Sequence, residues 1–303
     1  MTSNPTLRLG TRGSPLALVQ ANMVADALRA AHGWGEDAIE IVPVKTTGDA
    51  VQDRPLAEIG GKALWTKELD RALLDGAIDF AVHSMKDVET IRPEAIRIAA
   101  MLPRADVRDR LIGAGSIAAL PHGARIGTSS PRRAAQLRHL RPDVSIVPFR
   151  GNVDTRLRKL AEGEAEATLL AAAGLERLER PDIGVAIPLE VMLPAPAQGA
   201  VGIEARADDA AMLALLARID HAETHMCVAI ERAFLAALGA DCHSPVAALA
   251  TPGAGLRAEL LSEDGRLHVT GHRAPAGVAE AGELADWLLA QAPPAIRELF
   301  AGR

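Results

Sequence analysis

Between Leu7 and Arg177 short apolar runs alternate with longer stretches of helical period, and this order constrains the fold more than any other feature of the chain. Leu7 to Gly10 reads as a strand. Ser14-Pro15 then offers an N-cap and a proline at the first helical position, ahead of a helix from Leu16 to Ala31. Ile39 to Val44 is a second strand. Gly60-Gly61 leads into a helix from Ala63 to Leu74, and Ile78 to Val82 is a buried strand running into His83-Ser84-Met85-Lys86-Asp87. A second round begins near Pro103, with strands at Ala124–Gly127, Val144–Phe149 and Ala167–Ala172. Its helices are one capped by Thr128-Ser129-Ser130-Pro131 and one from Val153 to Ala161. Alternation of this kind predicts largely parallel sheets covered by helices on both faces.

From Asp220 the pattern changes. A helix from Thr224 to Leu238 carries an apolar stripe of Cys227, Ile230, Phe234 and Leu238 and stops at Gly239. Three short strands follow (Val246–Ala250, Leu256–Leu261, Leu267–Gly271), then a helix from Val278 to Gln291. This is an antiparallel α+β module. At 303 residues the chain exceeds one ordinary hydrophobic core, so two or three domains are expected. Pro194-Ala195-Pro196-Ala197-Gln198-Gly199 has the composition of a hinge.

Bulk properties exclude several classes of function. No apolar run reaches membrane-spanning length, and Met1 to Leu9 lacks the basic-then-apolar order of a signal peptide, so a cytoplasmic protein is expected. The net charge of −6 and the seven Phe and Trp rings argue against a nucleic-acid partner. Two cysteines make no disulfide scaffold, the nine histidines lack ligand spacing, and Cys242-His243 offers a metal two adjacent ligands at most. Neither glycine-rich nucleotide motif follows a strand.

Only five of the 33 basic residues are lysine. A GC-rich genome accounts for so many arginines but not for where they cluster. Thr11-Arg12-Gly13-Ser14, Lys86-Asp87, Thr128 to Arg133, and Arg150 with Arg156 all fall at carboxyl ends of strands or amino ends of helices. Ligands of open α/β sheets bind at such ends, where free helix N–H groups favour anions and arginine grips carboxylates bidentately. The clusters therefore predict a cleft for a ligand bearing several carboxylates or phosphates. Asp87 fits either a capping or ion-paired aspartate or an acid–base group. Cys227 reads as a core residue, whereas Cys242, in Gly-Ala-Asp-Cys-His-Ser-Pro, lies in a loop where a nucleophile would be reachable.

Taken together, the motifs resemble the porphobilinogen deaminase family, also called hydroxymethylbilane synthases. They are Leu9-Gly10-Thr11-Arg12-Gly13-Ser14-Pro15-Leu16-Ala17, Gly60-Gly61-Lys62, Ala81-Val82-His83-Ser84-Met85-Lys86-Asp87, Gly127-Thr128-Ser129-Ser130, Arg150-Gly151-Asn152-Val153 and Gln198-Gly199-Ala200-Val201-Gly202-Ile203-Glu204. They occur in family order between residue 7 and about 246, and it is the ordered set that is specific.

The resemblance implies two α/β domains like those of periplasmic binding proteins with a cleft between them, plus a C-terminal α+β domain with a three-stranded antiparallel sheet. The expected boundaries are 1–101 with 199–219, 102–198, and 220–303. It implies stepwise head-to-tail condensation of four porphobilinogen molecules on a dipyrromethane primer, with loss of ammonia and hydrolytic release of hydroxymethylbilane. Cys242 matches the residue that carries the primer by a thioether, and Asp87 the catalytic aspartate. Arg12, Ser14, Lys86, Ser130, Arg132, Arg133, Arg150 and Arg156 match positions that hold carboxylates of the cofactor. Arg177 and Gln198, together with Arg12, Arg150 and Arg156, match the substrate side. The implied partners are porphobilinogen and the growing pyrrole chain; the expected protein is a monomer using no metal, nucleic acid or membrane. The departures are Ala240-Asp241 where the family usually has Gly-Gly, Trp65 for a usual phenylalanine, and Glu89 for a frequent proline. Side chains at 240 and 241 are expected to crowd the cysteine loop. The rival reading is a non-catalytic anion-binding protein on the same two-domain fold, which leaves Cys242 and the third domain without a role.

Overall fold

The computed structural model describes residues 6–45 and 66–301. Gly60-Gly61-Lys62, Trp65 and the first residues of the helix expected from Ala63 lie outside them. The chain forms two compact units, Met1–Arg104 with Ala200–His225, and Ala105–Gly199 with Met226–Arg303.

The first unit opens with β1 (Leu7–Arg12), α1 (Pro15–His32) and β2 (Ile39–Val44), followed by α2 (Lys67–Leu74), β3 (Phe80–Ser84) and β4 (Ile96–Met101). Ser14 caps α1 as expected: its hydroxyl accepts a bond from the Ala17 N–H at 3.3 Å. β1 pairs in parallel with β2 and β3. Side chains along β3 alternate between two cores. Phe80 and Val82 meet Leu9, Val24 and Leu28 on the α1 side, while Ala81 meets Leu69, Leu73 and Ile78 on the α2 side. Phe80 is wholly buried, which stabilises the unit by about 1.5–3 kcal/mol.

After Arg104 come the elements of the second unit: β5 (Asp109–Ile112), β6 (Arg125–Gly127), α3 (Pro131–Leu140), β7 (Ser145–Val147), α4 (Val153–Ala161), β8 (Ala167–Ala171), α5 (Ala172–Arg177) and β9 (Val185–Ala186). The chain then re-enters the first unit with β10 (Val201–Arg206) and α6 (Ala210–Leu216). It ends with α7 (Ala222–Leu238), β11 (Val246–Thr251), β12 (Gly255–Leu261), β13 (His268–Arg273), α8 (Val278–Gln291) and α9 (Pro294–Arg297).

The expected largely parallel sheets occur, each with one reversed strand that makes it mixed. The first sheet runs β2-β1-β3-β10-β4 and the second β7-β6-β8-β5-β9. β10 is antiparallel to both its neighbours, and so is β5. Each is the first strand formed after the chain changes unit. It arrives without a helical crossover of its own sheet, so nothing constrains it to run parallel. The strands β4, β5, β9 and β10 are not among those the sequence predicts; β4, β5 and β9 carry no strong period, and the residues of β10 stand out only as part of a motif.

The C-terminal strands form the expected three-stranded antiparallel sheet, β11-β12-β13. Cys227, Ile230, Phe234 and Leu238 of α7 pack with Leu256, Leu260, Leu284 and Leu288 in one core, as the stripe predicted.

Candidate functional site

In the first unit three parallel strands end side by side, and their carboxyl ends carry the expected polar residues. Arg12 closes β1, Ser14 starts α1, and β3 passes into a short 3-10 turn, Met85–Asp87. Met85 anchors that turn, being buried and donating its N–H to the Ala200 carbonyl at 3.1 Å. Lys86 and Asp87 are half-buried at its end. Arg12, Ser14 and Asp87 line one recess of about 410 Å³, counting its open mouth, with Gln20, Thr66, His83 and Ser84 completing its polar wall. Gln20 and Ser84 hold each other through bonds of 2.8 and 3.1 Å. The recess thus joins a carboxylate, a guanidinium and the amino end of an 18-residue helix, a combination that binds anions and can move a proton.

A buried ionic cluster backs this wall. Glu204, on β10, is fully buried and receives both the Nε and Nη2 of Arg92 at 2.8 Å. His83 Nε2 lies 3.2 Å from the same carboxylate, off the line of a good hydrogen bond. Burial alone would raise the Glu204 carboxyl; His83 and Arg92 hold it down to about 2.

In the second unit the parallel strands β7, β6 and β8 likewise end together. Beyond β6, Ser130 caps α3, accepting from the Arg133 N–H at 3.4 Å. Beyond β7, Arg150 precedes Asn152, which caps α4 through the Thr155 N–H at 2.9 Å. Arg156 donates its Nε to the Gly151 carbonyl at 3.1 Å. Beyond β8, Arg177 closes α5 and donates to the Gly199 carbonyl at 2.7 Å, and burial lowers its pKa.

Arg132 and Arg133 are more deeply placed than the sequence suggested. Both are buried, and both grip Asp109, at 2.8 and 2.6 Å. Arg132 also donates to Gln136 and the Leu193 carbonyl, and Arg133 to the Leu169 carbonyl. Gln198 is buried too, with its amide donating to the Val107 carbonyl at 2.8 Å and to Asp109 at 2.9 Å. Burial would raise the Asp109 carboxyl, but the two guanidiniums and Gln198 hold it well below the usual range. Glu259, which accepts from Gln136 at 2.9 Å, adds a second negative charge near Arg132.

Cys242 is exposed in the turn between α7 and β11, whereas Cys227 is buried in the core. The expected crowding by Ala240 and Asp241 does not occur. Ala240 packs into the C-terminal core, and Asp241 Oδ1 accepts bonds from the His243 N–H at 2.9 Å and the Ser244 hydroxyl at 3.3 Å. The aspartate pins the turn that presents the cysteine.

Asp109 and Arg92 lie outside every motif named above, and Glu204 closes one of them without a role of its own. Glu204 did carry a signal, a carboxylate amid the apolar residues of a central strand; Asp109, between two arginines, carried none.

Known proteins resemble this chain over nearly its whole length. The family described as "Porphobilinogen deaminase, dipyromethane cofactor binding domain" matches residues 7–214, and "Porphobilinogen deaminase, C-terminal domain" matches residues 225–286. A porphobilinogen deaminase of Sphingopyxis alaskensis is 61% identical across 99% of this chain and 98% of its own. One of Paracoccus denitrificans is 50% identical across 96% and 95%. Among solved structures, immunogenic lipoprotein A of Vibrio vulnificus superposes with a TM-score of 0.44 at 14% identity, covering 72% of this chain and 96% of its own. The BvgS periplasmic VFT2 domain of Bordetella pertussis gives 0.40 at 13%, covering 71% and 86%.

Proposed function

The chain belongs to the porphobilinogen deaminase family, and on that premise we propose which of its residues carry the reaction and how. The activity is that of hydroxymethylbilane synthase, a transferase that condenses four porphobilinogen molecules head to tail with loss of ammonia on a dipyrromethane cofactor. We keep the three-part division 1–101 with 199–219, 102–198 and 220–303 as a proposal; the separate hydrophobic core of the C-terminal module supports it.

The second unit has donors suited to such a polycarboxylate. Arg150 Nη1 and Arg177 Nε are buried without a hydrogen-bond partner. An orphaned buried donor costs roughly 1–3 kcal/mol, which favours an acceptor supplied by a ligand. We assign Cys242 as the thioether attachment point. In the same unit Ser130, Arg150 and Arg156 hold cofactor carboxylates, while Arg132 and Arg133 contribute positive charge from beside Asp109. In the first unit Arg12, Ser14 and Lys86 do the same work. Arg177 and Gln198 serve the substrate side with Arg12, Arg150 and Arg156, Gln198 acting through its bond to Asp109. When bound, the dipyrromethane supplies the pyrrole α-carbon from which the product grows.

Asp87 does the chemistry. As the aminomethyl C–N bond of porphobilinogen breaks and ammonia departs, positive charge develops on the pyrrole nitrogen, and a fixed carboxylate offsets it. The same carboxylate oxygens receive the proton lost from the α-carbon when the new C–C bond forms. Arg12 and the amino end of α1 hold the acidic side chains of the substrate meanwhile. The observation that carries the assignment is the joint lining of one recess by Arg12, Ser14 and Asp87.

We place the protein in the cytoplasm as a monomer, with porphobilinogen and the growing pyrrole chain as its partners and neither nucleic acid nor membrane among them. The net charge of −6 supports the exclusion of nucleic acid. Among the described residues no helix is long and apolar enough to cross a membrane.

Intact mass of the denatured protein tests the assignment. The expected excess is that of two condensed porphobilinogen units, lost in Cys242→Ser and kept in Cys227→Ser. Asp87→Ala should keep the excess while turnover falls about 10²- to 10⁴-fold. A chain that gains no mass even with added porphobilinogen would instead be an anion-binding protein.

A further inference from the structure

Asp87 sits between a well-anchored strand and the link Val88–Ala95 that leads to β4. One side chain of that link, Arg92, has only 8% of its surface exposed. Its Nε and Nη2 fork onto Glu204 of β10, Nη2 also reaches Asp70 of α2, and Nη1 donates to Glu89 at 2.7 Å and to the Thr66 hydroxyl at 3.3 Å. The Thr66 hydroxyl donates in turn to Glu89 at 2.6 Å. A single guanidinium therefore joins a central strand, a helix and the link that follows the candidate catalytic turn.

Two of the groups it organises form walls of the recess that holds Asp87. Thr66 lines that recess directly, and His83 lines it with its Nε2 against Glu204. Val88, the residue after Asp87, lines it too. Three carboxylates gathered on one guanidinium would repel one another in its absence, and like charges about 4 Å apart cost on the order of 4 kcal/mol at an effective dielectric near 20. Glu89 and Asp70 would swing away, carrying the link and Thr66 with them. The planar fork of arginine matters as well, because its donors meet Glu204 bidentately while still reaching three other acceptors, which an ammonium cannot do.

We propose that Arg92 is a positioning residue for the deaminase reaction: clamped between Glu204, Asp70 and Glu89, it fixes the Asp87 turn and the Thr66–His83 wall in the geometry the chemistry needs. The inference rests on the assignment of Asp87 made above. Arg92 touches no substrate; it acts through the residues it holds. The groups assigned to gripping substrate carboxylates are not on this network, so Arg92 governs turnover more than affinity.

The test uses the full-length, primer-loaded enzyme and porphobilinogen. Arg92→Lys keeps the charge and loses the fork; the double variant Arg92→Leu with Glu204→Gln removes both charges and leaves no unpaired guanidinium partner on β10. Both are expected to keep the primer mass and a cooperative unfolding transition, with kcat about 10- to 100-fold lower and KM within about threefold of the parent. The drop in kcat for Arg92→Lys is the part a merely charge-balancing role would not produce. A kcat within about twofold of the parent in both variants, or a loss explained entirely by a smaller folded fraction, overturns the proposal. Asp87→Asn measured alongside separates the premise from the inference: its inactivity upholds the premise, and full turnover in it removes both.

Discussion

Asp109 shows how a residue without any motif can govern several that have one. It is buried, and Arg132, Arg133 and Gln198 all converge on its carboxylate. The arginines stood out in the sequence as a cluster at a helix start, but their partner did not, because contacts across 23 and 24 residues leave no local pattern. Removing one member of a buried ionic group leaves the others uncompensated, typically at a cost of 3–5 kcal/mol. Asp109→Asn is therefore expected to lower stability by about that amount, read as an earlier denaturant midpoint with an unchanged slope. An effect below about 1 kcal/mol would mean the pair is stabilised by its backbone acceptors instead. Asp241 teaches a related point. Its difference from the usual family residue suggested a crowded loop, yet its carboxylate ties down the turn that carries Cys242.

At the scale of elements, capping and period were good guides. Ser14, Ser130 and Asn152 cap the helices expected to follow them, and the helices Val153–Ala161 and Val278–Gln291 occur with the anticipated bounds. The segment read as a hinge ends where the chain changes unit, between Gly199 and Ala200, and it forms a largely buried, hydrogen-bonded turn. Ala197 donates its N–H to Glu231 at 2.6 Å, and Gly199 adopts φ +86° with its carbonyl accepting from Ala105. A Cβ on Gly199 would lie 2.6 Å from the Ala105 carbonyl oxygen. Gly199→Ala should accordingly cost about 1–3 kcal/mol for the backbone conformation alone, with the clash added. Thermal melting of that variant checks it, and a change under about 0.5 kcal/mol would show the turn to be pliable.

For the molecule as a whole, each unit is built over one buried carboxylate with a depressed pKa, Glu204 in the first and Asp109 in the second. A group whose folded pKa lies below its unfolded value stabilises fully above the unfolded value and loses that contribution as pH falls through the folded one. Stability is thus expected to hold from neutral pH down to about 4.5 and then fall steeply toward pH 2. Asp70, raised by burial, works in the opposite sense and softens the loss without reversing it. Denaturant midpoints measured across that range test this, and a flat profile would show that neither carboxylate is linked to folding. The sequence by itself determined the strands and helices that carry a clear period or cap, the C-terminal module, and the polar clusters at strand ends that carry the family resemblance. All of these follow from local periodicity, backbone chemistry and short motifs. Only the tertiary structure decided that β5 and β10 run antiparallel, that Arg132, Arg133 and Gln198 are spent on Asp109, and that Arg92 meets Glu204 across 112 residues. Those outcomes depend on which distant groups are brought together in low dielectric, where each charge must find its partner, and no local pattern encodes that choice.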